Sequence, residues 1–172
     1  GGSIMELRVA GIVKESIVDG PGFRYVIFAQ GCTHGCKGCH NPDTHALDGG
    51  YLVDADSLIA DIQQSKHIDG VTFSGGEPFL QPEAFSYIAE KLKKTGINIV
   101  CYTGFTFEEL IEENNESRMK LLSLVDTLID GPYVEELKDL SLTYRGSGNQ
   151  RIIEVRSSMK EKRIRTYSSV WI

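Results

Sequence analysis

The stretch GVTFSGGEPFLQPEAFSYIAEKLKKTGINIVCYTG, residues 70–104, decides the fold. Its ends, GVTFSG and NIVCYT, are short apolar runs that read as buried strands. Between them Phe85, Ile88 and Leu92 recur at helical spacing, Pro82 sits near the first turn, lysines fill the last turn and Gly96 supplies the stop. Strand, helix, strand in that order is a crossover between parallel strands. The same grammar extends outward. RYVIFA (24–29), LVDTLID (124–130) and RIIEV (151–155) read as further strands. DADSLIADIQQS (54–65) places Leu58, Ile59 and Ile62 on one helical face, and TFEELIEE (106–113) opens with Thr106 and Glu109 in capping-box spacing. The region 132–150 is the least regular, and RGSGNQ within it reads as a loop. The expectation is an α/β protein with mainly parallel strands and no repeat, linker or low-complexity tract.

Composition bounds the function. GGSI ahead of Met5 reads as a scar of expression, so one domain is expected over 5–172. Chain mass implies burial of about 70% of the unfolded surface, enough core to fold without disulfides. Apolar residues make up 41% of the chain, yet no run approaches the roughly 20 residues that span a bilayer. No membrane association and a cytoplasmic location with reduced thiols are expected. The net charge of −6 argues against a nucleic-acid partner, and the basic run KEKRIR (160–165) reads as a solvated surface.

In parallel α/β folds chemistry collects at the carboxyl ends of strands. Three polar or glycine-rich stretches follow strands here: QGCTHGCKGCHNP (30–42), SGGEP (74–78) and YTG (102–104). Three of four cysteines, Cys32, Cys36 and Cys39, fall in the first, whereas Cys101 sits mid-strand, as a buried small residue would. Clustered cytosolic thiols point to metal or catalysis. Thiolates select zinc, copper(I) or iron–sulfur clusters. A zinc knuckle would need His34 or His40 as fourth ligand. A 4Fe-4S cluster on three thiolates would keep one iron open, which suits catalysis.

The spacing CxxxCxxC resembles the signature of the radical S-adenosylmethionine (SAM) enzymes. That resemblance implies a truncated radical SAM core, a partial (βα) barrel, in which the open iron is chelated by the amino and carboxylate groups of SAM. The family's aromatic residue before the third cysteine is Gly38 here, leaving backbone contacts for adenine. His40 is either a replacement for that wall or a solvent-facing histidine. SGGEP resembles the family's GGE motif, implying that Gly75, Gly76 and Glu77 receive the methionyl group; two glycines let a backbone approach a ligand closely. Tyr102 and Thr103, ending the next strand, are candidates for ribose contacts, against packing and helix initiation.

SIVDGPGFRYVIFAQGC (16–32) resembles the activating enzymes of glycyl radical enzymes. The resemblance implies that Asp19, Gly20, Pro21 and Gly22 cradle the partner's glycine loop. LIDGPYVEELKDLSLTYRGSGNQRII (128–153) resembles the activases of anaerobic ribonucleotide reductases. The implied partner is an anaerobic ribonucleoside-triphosphate reductase with its glycine-bearing C-terminal loop, and the implied electron source a low-potential donor such as flavodoxin. The implied reaction is reductive cleavage of SAM at the 4Fe-4S cluster; the 5′-deoxyadenosyl radical then takes a hydrogen atom from that glycine. No general acid or base is required. Pyruvate formate-lyase activases carry a lysine near SAM where this chain has Asp130-Gly131-Pro132; Asp130 marks the place, and Arg151, ahead of Arg145, is the candidate to replace the lysine, against both being surface or partner-docking residues. Two other classes stay open: a small radical SAM enzyme acting on a metabolite, and a zinc-binding interaction domain.

Overall fold

A computed structural model describes residues 5–32, 46, 49–138, 144–145 and 147–166. Among these, the strands are β1 (Glu6–Ser16), β2 (Arg24–Ala29), β3 (Tyr51–Asp54), β4 (Gly70–Gly75), β5 (Asn98–Tyr102), β6 (Thr127–Asp130) and β7 (Arg151–Glu154). The helices are α1 (Ala55–Gln64), α2 (Pro82–Lys93), α3 (Phe107–Glu113), α4 (Glu116–Leu124) and α5 (Val155–Glu161). The strands form one mixed sheet in the order β3-β1-β2-β4-β5-β6-β7.

The four central strands are parallel. β2 and β4 pair from Arg24↔Gly70 to Ala29↔Gly75, β4 and β5 from Gly70↔Asn98 to Phe73↔Cys101, and β5 and β6 from Val100↔Thr127 to Tyr102↔Ile129. Both margins are antiparallel: β1 against β2 and β3, and β7 against β6. The cause is local. A parallel return needs a crossover helix. Only the loop 17–23 separates β1 from β2, and the described residues between β6 and β7 hold one short 3₁₀ turn, Glu135–Leu137.

The period of two then sorts the side chains. Tyr25, Ile27, Ala29, Val71, Phe73, Ile99, Cys101, Leu128 and Ile153 face one way, into a core with the buried faces of all the described helices. The next residues along, Val100, Ile129 and Ile152, face the other way and pack with Tyr102 and Tyr144. The sheet therefore has a helix-bearing face and, among the described residues, a helix-free face.

Local chemistry sets the helix ends. The expected capping box is present in α3, with Thr106 accepting from the Glu109 amide and Glu109 from the Thr106 amide. One expectation moves: LVDTLID does not begin as a strand. Leu124 closes α4, Val125 caps it, and β6 starts at Thr127. The Asp126 carboxylate fixes that switch by accepting from the Ile99 amide at 2.8 Å and pairing with Lys93 at 2.6 Å.

Candidate active site

β2 and β4 finish side by side, and their exits are tied together. Gly76 N donates to Ala29 O and Glu77 N to Gly31 O, both at 2.7 Å. The SGGEP turn is thus stapled to the backbone that leads directly into Cys32. Gly75 makes this possible. Its φ is +91°, and a Cβ there would lie 2.5 Å from Ala29 N, 2.6 Å from Ala29 O and 2.7 Å from the Phe28 carbonyl carbon. The close approach that this glycine permits is that of β2 itself.

Both feet of the cysteine loop are pinned on the same edge. Gln30, buried, donates through Nε2 to Ala46 O at 2.7 Å, and Arg8 Nη1 donates to Gly49 O at 3.0 Å. Gln81 supports both from below: its Oε1 accepts from Arg8 N at 2.7 Å, and its Nε2 donates to Arg8 O at 2.8 Å and Gln30 O at 3.3 Å. Cys32 stands half-buried at the start of this loop, whereas Cys101 is fully buried on the helix-bearing face, where desolvation pushes its thiol well above the ordinary range. Cys36, Gly38, Cys39 and His40 lie outside the described residues. The loop carries three thiols beside His34 and His40, and the Cys32 foot stands at the carboxyl edge, so the residues suit a thiolate-held cluster that needs access.

Glu77 is fully buried, and its carboxylate is an internal hub. It accepts from Phe79 N at 3.0 Å, Gly104 N at 2.7 Å and Thr103 Oγ1 at 2.9 Å. Thr103 Oγ1 also accepts from Phe105 N at 3.1 Å. Glu77 and Thr103 therefore clamp the ends of β4 and β5 to each other, and both side chains are committed within the protein.

Tyr102 lies one residue earlier on the helix-free face, beside Tyr144. Burial, then the charge of Asp19, pushes its phenol above the ordinary range, so the DGPG turn comes within electrostatic reach of the carboxyl edge. Asp19 O accepts from Thr72 Oγ1 at 2.8 Å, and its Oδ2 accepts from Ser16 Oγ at 2.5 Å. Gly20 and Gly22 adopt φ of +136° and +76°. Pro21 O and Gly20 both rest on Arg24, which is fully buried.

Asp130 and Arg151 are brought together, but on the other face. Asp130, fully buried, accepts from the first amide of α3, Phe107 N, at 2.7 Å. Arg151 donates to it through Nε at 3.0 Å and Nη2 at 2.5 Å, and to Glu108 through Nη1 at 3.2 Å and Nη2 at 2.5 Å. Those bonds raise the Arg151 pKa, Asp130 contributing most, and hold the Glu108 carboxyl below its ordinary value. Arg145 contrasts with this. Its Nη1 donates to Gln150 O at 3.1 Å, while its buried Nε has no acceptor among the described residues.

Three residues that build this region were not singled out in the sequence: Arg24, at the amino end of β2, and Gln30 and Gln81, at the carboxyl edge. The available signal was a charge opening an otherwise apolar strand at Arg24, and an amide where apolar periodicity breaks at Gln30 and Gln81.

Comparison with known proteins places this arrangement. The family described as a 4Fe-4S single cluster domain matches residues 18–153. An anaerobic ribonucleoside-triphosphate reductase-activating protein of Salmonella typhi is 36% identical over 149 residues, covering 81% of this chain and 94% of that protein. Its counterpart in Escherichia coli K12 is 34% identical with the same coverage. A pyruvate formate-lyase-activating enzyme of Clostridium pasteurianum is 39% identical over 117 residues, 63% of this chain and 49% of that enzyme.

Proposed function

The chain belongs to the family of anaerobic ribonucleoside-triphosphate reductase-activating proteins, and we propose from this premise how its residues do that work. It is a radical SAM activase whose target is the anaerobic ribonucleotide reductase. The carrying observation is the pair of 2.7 Å backbone bonds that join the GGE turn to the residues entering Cys32. The backbone that leads into Cys32 is thereby tied to the cosubstrate loop.

Cys32, Cys36 and Cys39 would hold the cluster. When bound, the cluster supplies the electron that cleaves SAM into methionine and a 5′-deoxyadenosyl radical, which removes a hydrogen atom from a reductase glycine. The protein's task is orientation and exclusion of water. Gly75 and Gly76 would offer backbone to the methionyl group, and Gly38 and His40 would serve adenine. Glu77 and Thr103 serve that cleft by holding its walls, since their polar atoms already have internal partners. Tyr102, on the helix-free face, is the ribose-side candidate. For the SAM carboxylate we favour Arg145, whose buried Nε lacks an acceptor among the described residues, over Arg151, which Asp130 and Glu108 engage.

Asp19, Gly20, Pro21 and Gly22 would receive the reductase's glycine-bearing loop. One-sided helix packing and the gathering of the functional loops at the carboxyl edge support reading the sheet as a truncated (βα) barrel. Among the described residues no helix is long and apolar enough to cross a membrane. A cytoplasmic setting and a donor such as flavodoxin fit a site that needs reduced thiols and a low-potential electron. The test is anaerobic reconstitution with iron and sulfide. A brown protein that converts SAM to 5′-deoxyadenosine and methionine under reductant, and loses both properties on Cys32→Ala, supports the reading. A colourless zinc protein that leaves SAM intact would overturn it.

A further inference from the structure

Arg24 is a buried cation whose hydrogen-bond acceptors are all neutral. Its Nε donates to Thr72 Oγ1 at 2.8 Å, Nη1 to Pro21 O at 3.0 Å, and Nη2 to Val71 O at 2.9 Å, Asn98 O at 3.1 Å and Asn98 Oδ1 at 2.8 Å. Burial lowers its pKa to about 10. Stability alone does not account for such a group, because an apolar side chain of equal volume would avoid the desolvation.

Its surroundings are shaped to admit it. A Cβ on Gly20 would lie 2.6 Å from Arg24 Cδ, and a Cβ on Gly70 would fall on the guanidinium. Thr72 Oγ1 passes the contact on, accepting from Arg24 and donating to Asp19 O at 2.8 Å. The 19–22 turn is thus held from beneath by β2, β4 and β5 at once. Above it the loop stays open: Ile17, Val18 and Phe23 are 67%, 70% and 51% exposed. Ile17 and Phe23 flank the Ser16↔Arg24 pair, so they form an apolar rim on a fixed base.

We propose that Arg24 is a positioning residue for the reductase: acting through Thr72 and the Pro21 carbonyl, it fixes the 19–22 backbone and aims the Asp19 carboxylate at the incoming glycine-bearing segment. This rests on the reading of that turn as the partner's cradle. The turn arrives pre-built, so the reductase segment meets an ordered surface rather than ordering one on binding.

The experiment measures glycyl radical formation against reductase concentration for Thr72→Val, Arg24→Lys, Arg24→Met and Asp19→Asn proteins. Cluster absorbance and reductase-independent SAM cleavage are read alongside. Thr72→Val, which removes both the bond from Arg24 and the bond to Asp19 O, and Arg24→Lys, which cannot keep all the guanidinium's bonds, are expected to raise the reductase KM at least about tenfold, the worth of one buried hydrogen bond, with Arg24→Met worse. The rate at saturating reductase, the cluster and uncoupled cleavage should stay within about twofold for Thr72→Val. Should the Arg24 variants fail to fold, Thr72→Val, which keeps the volume, decides alone. The Asp19→Asn, Thr72→Val double variant should be no worse than the poorer single. Parallel loss of coupled and uncoupled activity would mean that the clamp merely stabilises the fold, and would overturn the proposal. An unchanged KM for Asp19→Asn would remove the cradle reading itself. A raised KM for Asp19→Asn with wild-type values for Thr72→Val and Arg24→Lys would remove the positioning role alone.

Discussion

Replacing Gly75 by alanine should damage this protein far more than the same change at Gly96. Gly75 has φ +91°, a conformation that costs an L-residue about 1–2 kcal/mol. Its new methyl would also lie 2.5–2.7 Å from backbone atoms of Ala29 and Phe28. Backbone at the paired end of β2, held by the Gly76 N bond to Ala29 O, cannot rotate away freely, and such overpacking costs about 1–3 kcal/mol. The reduced entropy of the unfolded chain offsets about 0.4–1 kcal/mol, leaving a net loss of about 1–4.5 kcal/mol. Gly96 is the control. Its φ is +78°, but nothing lies within 4 Å of its would-be Cβ, so Gly96→Ala carries only the conformational part, about 0–1.6 kcal/mol after the same offset. Urea unfolding of both anaerobically prepared variants measures the difference, which is large against a total of about 5–15 kcal/mol. SAM affinity of Gly75→Ala should fall with stability, because the strained turn carries the bonds to Ala29 and Gly31. Equal losses at the two positions would refute the argument that β2, pressed against this turn, is what requires the glycine.

Other outcomes follow from the same geometry. Cys101→Ala should retain the iron–sulfur absorbance of the wild type, as its thiol is sealed in the helix-side core, while Cys32→Ala should abolish it; iron and sulfide content after reconstitution checks both. Arg151→Ala should lower the urea-unfolding free energy by about 3–5 kcal/mol, because Asp130 would remain buried and unpaired, yet leave SAM affinity unchanged. Arg145→Ala should do the reverse, weakening SAM binding about tenfold with little effect on stability; equal SAM affinities in the two variants would cancel that distinction. The Glu108 carboxyl is held below its ordinary value, so its stabilising contribution is complete above the unfolded value near 4.5 and is lost as pH falls through the lower folded value. Glu108→Gln should therefore flatten the acid limb of thermal stability below about pH 4.5 and leave the neutral limb parallel to wild type.

Much of this was legible in residue order. The apolar runs of β2, β4 and β5 and the stripe of α2 are strong because each buries a complete face. The cysteine spacing and the glycine pair marked the edge where chemistry gathers. What remained hidden depends on which face a residue takes. Ile129 and Asp130 are neighbours in sequence, yet one packs on the helix-free face and the other beneath α3, and only strand register tells them apart. The helix α4 was silent because Leu121 and Leu122, adjacent rather than a turn apart, are its buried residues, which leaves no helical stripe to read. The antiparallel margins followed from connections whose brevity was visible but whose consequence for strand direction was not drawn. Glu77 read as a ligand-binding group, since an acid in a glycine turn gives no sign that three donors from two loops will meet it.

The most direct measurement combines the reconstituted protein, SAM, a low-potential reductant and the anaerobic ribonucleotide reductase without oxygen, and records electron paramagnetic resonance of the separated reductase. The account predicts a glycyl radical signal on the reductase, split by the remaining Cα hydrogen, with one 5′-deoxyadenosine formed per radical and no signal from the Cys32→Ala protein. SAM cleavage that proceeds while the reductase stays radical-free would contradict it.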